Sequence, residues 1–127
     1  MFRVSDGRML KSFEGDSFAF SPDGTLLVGN YYAKSLTVWT IPDGEKALTL
    51  RDRPDNVLNV TFSPDGKFFV SGYADGTIEI YLSSDGTLLK SWKGHSRAVS
   101  DLIFTADGKI LISASYDGTI RIWGLKP

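Results

Sequence analysis

Three carboxylates recur on one beat, at Asp23, Asp65 and Asp107, with 42 residues between each and the next. Carboxylates in register could serve acid–base chemistry or hold a metal ion. Each, however, sits in the same phrase: Phe20-Ser-Pro-Asp-Gly24, Phe62-Ser-Pro-Asp-Gly66 and Phe104-Thr-Ala-Asp-Gly108. In such a bend Asp bonds its own backbone and Gly accepts a positive φ. Repetition at one structural position therefore reads as turn chemistry, and no calcium-loop spacing accompanies it. His95 is the only histidine and cysteine is absent, so neither a His-based cluster nor a thiolate site can form within one chain. His95 could act as a base toward Ser113 or Ser96, but no nucleophile-elbow motif and no phosphate-cradling glycine loop is present. The reading is of a chain that is not an enzyme, with no cofactor and no metal.

The elements that carry these residues are short and β-like. In the second period Val57 to Phe62 runs into the Ser-Pro-Asp-Gly turn, and Lys67 to Ser71 follows as a nearly apolar run suited to an inner strand. Asp75-Gly76 turns the chain into Thr77 to Tyr81, where Ile78 and Ile80 alternate with Glu79, the mark of one buried face. Asp85-Gly86 leads into Leu88 to Trp92. The third period repeats the scheme through Val99–Phe104, Lys109–Ser113 and Thr119–Trp123. No stretch carries a 3.6-residue period, so the chain reads as all-β. An aromatic keeps the same beat, with Trp39, Tyr81 and Trp123 again 42 apart. A fixed period near 40–45 residues is the signature of a repeat architecture, and Phe20, Phe62, Phe104, Trp39 and Trp123 read as its core.

With 127 residues, 42% hydrophobic and 23% charged, the composition is that of a globular protein. Fourteen basic residues against fifteen acidic ones leave a net charge of −1, no footprint for nucleic acid or an anionic membrane. The first residues lack the apolar core of a signal peptide and no run approaches a membrane span, so a cytoplasmic location is expected.

Four-stranded units of about 42 residues with these turns resemble the WD-repeat β-propeller family. Gly94-His95 is similar to the family's Gly-His pair. Ser113, Asp117 and Trp123 fall on the hydroxyl, Asp and Trp positions of its structural hydrogen-bond network, in which His bridges the turn Asp and the strand hydroxyl. The second unit keeps Ser71 and Asp75 but has Arg53 at the His position and Tyr81 at the Trp position. The first keeps only Trp39, with Gly29 and Ala33 replacing Ser and Asp. Thr40, Leu82 and Gly124 stand where the family's Trp-Asp pair has its Asp.

The resemblance implies three four-stranded blades. Residues 14–50 are expected to form blade 1, 51–92 blade 2, and 93–127 blade 3 without its outer strand. Residues 1–13 would complete the last blade, because Phe2 to Phe13 lines up with Tyr81 to Trp92. The first unit is five residues short between Phe13 and Ser17. Three blades are too few to close a ring, since propellers typically have roughly 4–8. A homodimer is therefore expected to form six blades, with Arg8–Phe13 of each chain completing the Thr119–Trp123 edge of the other; a nine-bladed trimer is the alternative. The function expected is a non-catalytic scaffold that binds a protein or peptide on its top face. The candidate binding residues are Tyr32, Lys34, Arg53, Asn56, Tyr73, Arg97 and Tyr116, grouped in the loop before strand one and the turn between strands two and three. Those tyrosines could equally pack over the loops. Two other readings stand beside this one: an engineered or excised half-propeller whose main property is self-assembly, and an enzyme or lectin-like site in the central channel.

Overall fold

Eleven strands and no helix make up the computed structural model, which describes residues 17–30, 35–41, 43–50, 53 and 55–125. The expected strand at 1–13 lies outside the described residues. Strands β1 (Phe18–Phe20), β2 (Leu26–Gly29), β3 (Leu36–Thr40) and β4 (Lys46–Leu50) form one antiparallel sheet in sequence order. Strands β5 (Val57–Phe62), β6 (Phe68–Tyr73), β7 (Thr77–Leu82) and β8 (Leu88–Lys93) form a second. Strands β9 (Val99–Phe104), β10 (Ile110–Ser115) and β11 (Ile120–Gly124) form a third, whose outer edge at β11 carries no strand among the described residues.

The repeated Asp-Gly phrase sets these meanders locally. Gly24, Gly66 and Gly108 have φ of 75°, 73° and 71°, the left-handed region that a side chain disfavours. Asp23, Asp65 and Asp107 accept from the backbone N–H two residues on, at 3.0 Å in each case, and from the hydroxyls of Ser21, Ser63 and Thr105. The serine hydroxyls of the first two turns also accept from Leu26 and Phe68. One carboxylate thus supplies the acceptors each bend needs, and the bend sets the register of the strands it joins.

The sheets stack face to face in order, with first strand beside first strand: β1 against β5, and β5 against β9. Ser17 donates to the Leu58 carbonyl at 2.7 Å and Asn59 to the Val99 carbonyl at 2.9 Å, so each inner strand is tied to the next. Two apolar cores fill the gaps. Between the first and second sheets lie Val28, Leu36, Val38, Val57, Val60, Phe62, Phe69, Tyr73 and Tyr81. Between the second and third lie Val70, Ile78, Val99, Leu102 and Leu111, with Trp92 and Trp123 edge to face at 5.4 Å.

The middle sheet is thus covered on both sides, which changes the reading of β7. Glu79, expected on the wet face of an alternating strand, is buried along with Ile78 and Tyr81. The expected core also divides: Phe62 and Trp39 are buried and Phe104 is half-buried, but Phe20 is exposed. Phe20 lies on the one face of the first sheet that no other described sheet covers.

Candidate functional site

The loops at one end of the sheets, before each first strand and between strands two and three, hold most of the residues singled out by sequence. In the third unit His95 is buried among three side-chain partners. Its Nδ1 lies 2.9 Å from Asp117 Oδ2 and 3.1 Å from Thr119 Oγ1, and its Nε2 lies 2.7 Å from Ser113 Oγ. The Trp123 indole N–H donates to the same Ser113 oxygen at 2.9 Å. One assignment uses every proton: Nδ1–H donates to Asp117, and the Ser113 hydroxyl donates to Nε2 while accepting from Trp123. Asp117 also receives the Thr119 hydroxyl and the backbone N–H groups of Thr119 and Ser96. These hydrogen bonds, the Thr119 hydroxyl first, hold its carboxyl far below the usual range, against the opposing effect of burial. With all its atoms committed, the cluster has no exposed nucleophile and works as a pin between loop and blade.

The second unit builds its pin from other residues. Ser71 donates to the Tyr73 hydroxyl at 2.8 Å, Tyr73 donates to Glu79 Oε1 at 2.7 Å, and the Tyr81 hydroxyl donates to that same oxygen. Arg53 reaches in from the loop, donating to Tyr81 at 2.9 Å and to Glu79 at 3.4 Å. Burial, followed by the Tyr81 phenol, drives the Tyr73 hydroxyl well above its ordinary value; burial and then Glu79 also raise the Tyr81 hydroxyl. Burial works against the Arg53 charge, but the Tyr81 hydrogen bond and Glu79 outweigh it and raise its pKa.

This arrangement corrects two expectations. Tyr73 is not a surface binding residue: its ring is fully buried in the core and its hydroxyl is committed to Glu79. The acid of the second unit is Glu79 rather than Asp75, whose carboxylate accepts from the Thr77 backbone N–H at 2.9 Å. Glu79 was legible only as an acidic residue between two isoleucines of a strand that turns out to be covered on both faces. In the first unit no hydroxyl stands at the corresponding position. A Cβ on Gly29 would meet the Phe18 ring at 2.5 Å, and Phe18 packs on Trp39 with centroids 6.2 Å apart, so an apolar ring takes the space beside Gly29.

The loops themselves form a tied rim. The Asn56 carbonyl accepts from Ala74 at 2.9 Å, and the Gly76 carbonyl accepts from Gly94 and His95 at 3.0 and 3.1 Å. The Ser115 hydroxyl donates to the Arg97 and Ala98 carbonyls, and Arg97 donates back to the Tyr116 carbonyl at 3.4 Å. Arg121 anchors the Gly94 carbonyl at 2.8 Å. Gly76 is required at its place. Its φ is 92°, and a Cβ there would lie 2.0 Å from the His95 carbonyl oxygen. Along this rim Asn56, Ser96, Arg97 and Tyr116 are exposed, the last at 66%. Arg53 is mostly withdrawn into its pin, and Tyr32 and Lys34 lie outside the described residues.

Among the described residues no group of His, Asp and Glu side chains could hold a metal ion, and no helix is long and apolar enough to cross a membrane. Residues 44–81 and 86–124 each match the family model of the WD domain, G-beta repeat. Each match runs from the fourth strand of one sheet through the first three of the next, the same phase as the 42-residue beat. A search of curated proteins returned no match.

Proposed function

The chain belongs to the WD domain, G-beta repeat family, and on that footing we propose that it is a non-catalytic scaffold binding a protein or peptide on its loop end. Repeats of this family generally mediate contacts between proteins. The observation that carries the reading is the tied rim from Asn56 to Tyr116. It presents an arginine, a tyrosine and small polar groups on loops held by backbone hydrogen bonds. Tyr and Arg on a rigid surface give large contact area at little cost in conformational entropy. Arg97 and Tyr116 are the residues proposed to contact the partner, with Asn56 beside them. Tyr32 and Lys34 remain part of the proposal as the border of the shortened first unit.

The scaffold is proposed to assemble with itself. Arg8 to Phe13 would add along the edge of β11 that carries no strand among the described residues, in the manner in which Leu88 to Trp92 pairs with β7. The register follows from the alignment: Ile120 opposite Phe13, Arg121 opposite Ser12, and Ile122 opposite Lys11.

The test is a random peptide library displayed on phage and panned against the immobilised chain. Selected peptides should lose about tenfold in affinity on Arg97→Ala or Tyr116→Ala, a typical cost for an interface anchor. Peptides that ignore both substitutions, or selections that converge on nothing, would overturn the platform.

A further inference from the structure

The two internal sheet interfaces use the same positions, shifted by 42 residues. The trailing face of the first sheet presents Val28, Leu36 and Val38 to the second. The trailing face of the second presents Val70, Ile78 and Ile80 to the third. The receiving, or leading, faces also correspond: Val60, Phe62, Phe69 and Tyr81 in the second sheet, and Leu102, Phe104, Leu111 and Trp123 in the third.

Carried one step further each way, the beat names the two faces left over. The trailing face of the third sheet is Ile112, Ile120 and Ile122. Ile78 is fully buried, but its counterpart Ile120 is 72% exposed, and Ile122 is 69% exposed. On the leading face of the first sheet Phe18 and Phe20 are 38% and 62% exposed, where Phe62, the counterpart of Phe20, is buried; Leu27 and Trp39 on the same face are buried. Ile103 on β9 is also exposed. One molecule therefore carries both halves of an interface that it makes twice internally, at opposite ends of its stack.

We propose that the occupant of each open face is the complementary face of a second copy of this chain. Ile120 and Ile122 of one copy pack on Phe18 and Phe20 of the other, twice over, to give a closed ring of six sheets. The occupant is argued from the two internal interfaces, whose residue types recur on the open faces: branched aliphatics trailing, aromatics leading. Contact of like faces would set Ile against Ile and Phe against Phe, an arrangement neither internal interface uses. Two copies close within the range of roughly 4–8 blades that propellers adopt, and a two-fold axis relates the two contacts.

This deepens the assembly part of the proposed function and is independent of peptide binding, because Arg97 and Tyr116 lie on the loops of a single chain. The experiment is light scattering on a sizing column with the full chain over a dilution series. A species of twice 14.0 kDa is expected. Ile120→Lys with Ile122→Lys, and separately Phe20→Lys, should each reduce the mass to one chain without changing the far-ultraviolet circular dichroism. Mixed in equal amounts, the two altered chains should pair through the single intact contact each retains. An unaltered chain that runs as a monomer or as three copies overturns the closed pair, and needs no variant to do so. An altered chain that still self-associates, or a mixture that stays monomeric, overturns the head-to-tail pairing. A monomer that binds library peptides would remove the ring and leave the platform intact; a dimer that binds none would do the reverse.

Discussion

At the scale of the residue, one geometric requirement is met by two sets of chemistry. His95, Ser113, Asp117 and Trp123 tie loop to blade in the third unit. Arg53, Ser71, Tyr73, Glu79 and Tyr81 do so in the second. In the latter, Glu79 Oε1 is the common acceptor, so Glu79→Ala should cost about 3 kcal/mol in urea unfolding, because it removes the one carboxylate that Arg53 and two buried phenols share. Ser113→Ala removes a two-way relay and should cost about 1–3 kcal/mol by the same measurement. The turn aspartates set the pH response. Hydrogen bonds from Ser21, first, and Thr25 lower Asp23 from its ordinary 3.8 to about 2. Asp65, Asp107 and Asp117 are lowered too. A depressed carboxyl contributes stability that is complete above its unfolded pKa and is lost as pH falls through the folded one. Melting temperature should therefore be flat above about pH 4 and fall toward about pH 2. Asp23→Asn should flatten that fall; an unchanged slope would mean that other groups govern it.

Single elements matter mainly by how they meet their neighbours. The β6–β7 turn is held against the loop before β9 through Gly76, and the β10–β11 turn is free of such contact at Gly118. Both glycines have positive φ, 92° and 87°. Gly118→Ala should therefore cost only the conformational penalty, about 1–2 kcal/mol. Gly76→Ala adds a clash with the His95 carbonyl and should cost clearly more, displacing Arg97 as it does so. Urea midpoints for the pair would separate strain from packing, and equal losses would show that the close approach to His95 relaxes at little cost. Ile78→Ala, in a strand covered on both sides, should cost about 2–5 kcal/mol, whereas Ile120→Ala at the same place in an open sheet should cost far less in the monomer.

For the whole molecule, that last contrast is the decisive one. Among the described residues, Ile120 and Ile122 stay exposed at one end of the stack and Phe20 at the other, apolar surface that neighbours would bury. If those neighbours are second copies, folding and association are linked by mass action. The melting temperature should then rise with protein concentration, and Phe20→Lys should abolish the rise. Concentration-independent melting of the unaltered chain would count against association.

The sequence alone carried the period, the strand order and the turns, because Asp-Gly bends and alternating apolar residues act within a few positions of themselves. The third-unit network was legible through the resemblance, since His95, Ser113, Asp117 and Trp123 fall on the positions of the family's hydrogen-bond network. The second-unit network was not legible. Glu79 and Tyr73 resemble surface residues until sheets on both sides withdraw them from water, and only the stacking of sheets does that. The same holds for Phe20 and Ile120. They stand on the beat of buried residues and are nonetheless exposed, because burial is set by what the next sheet supplies and not by the strand that bears the side chain.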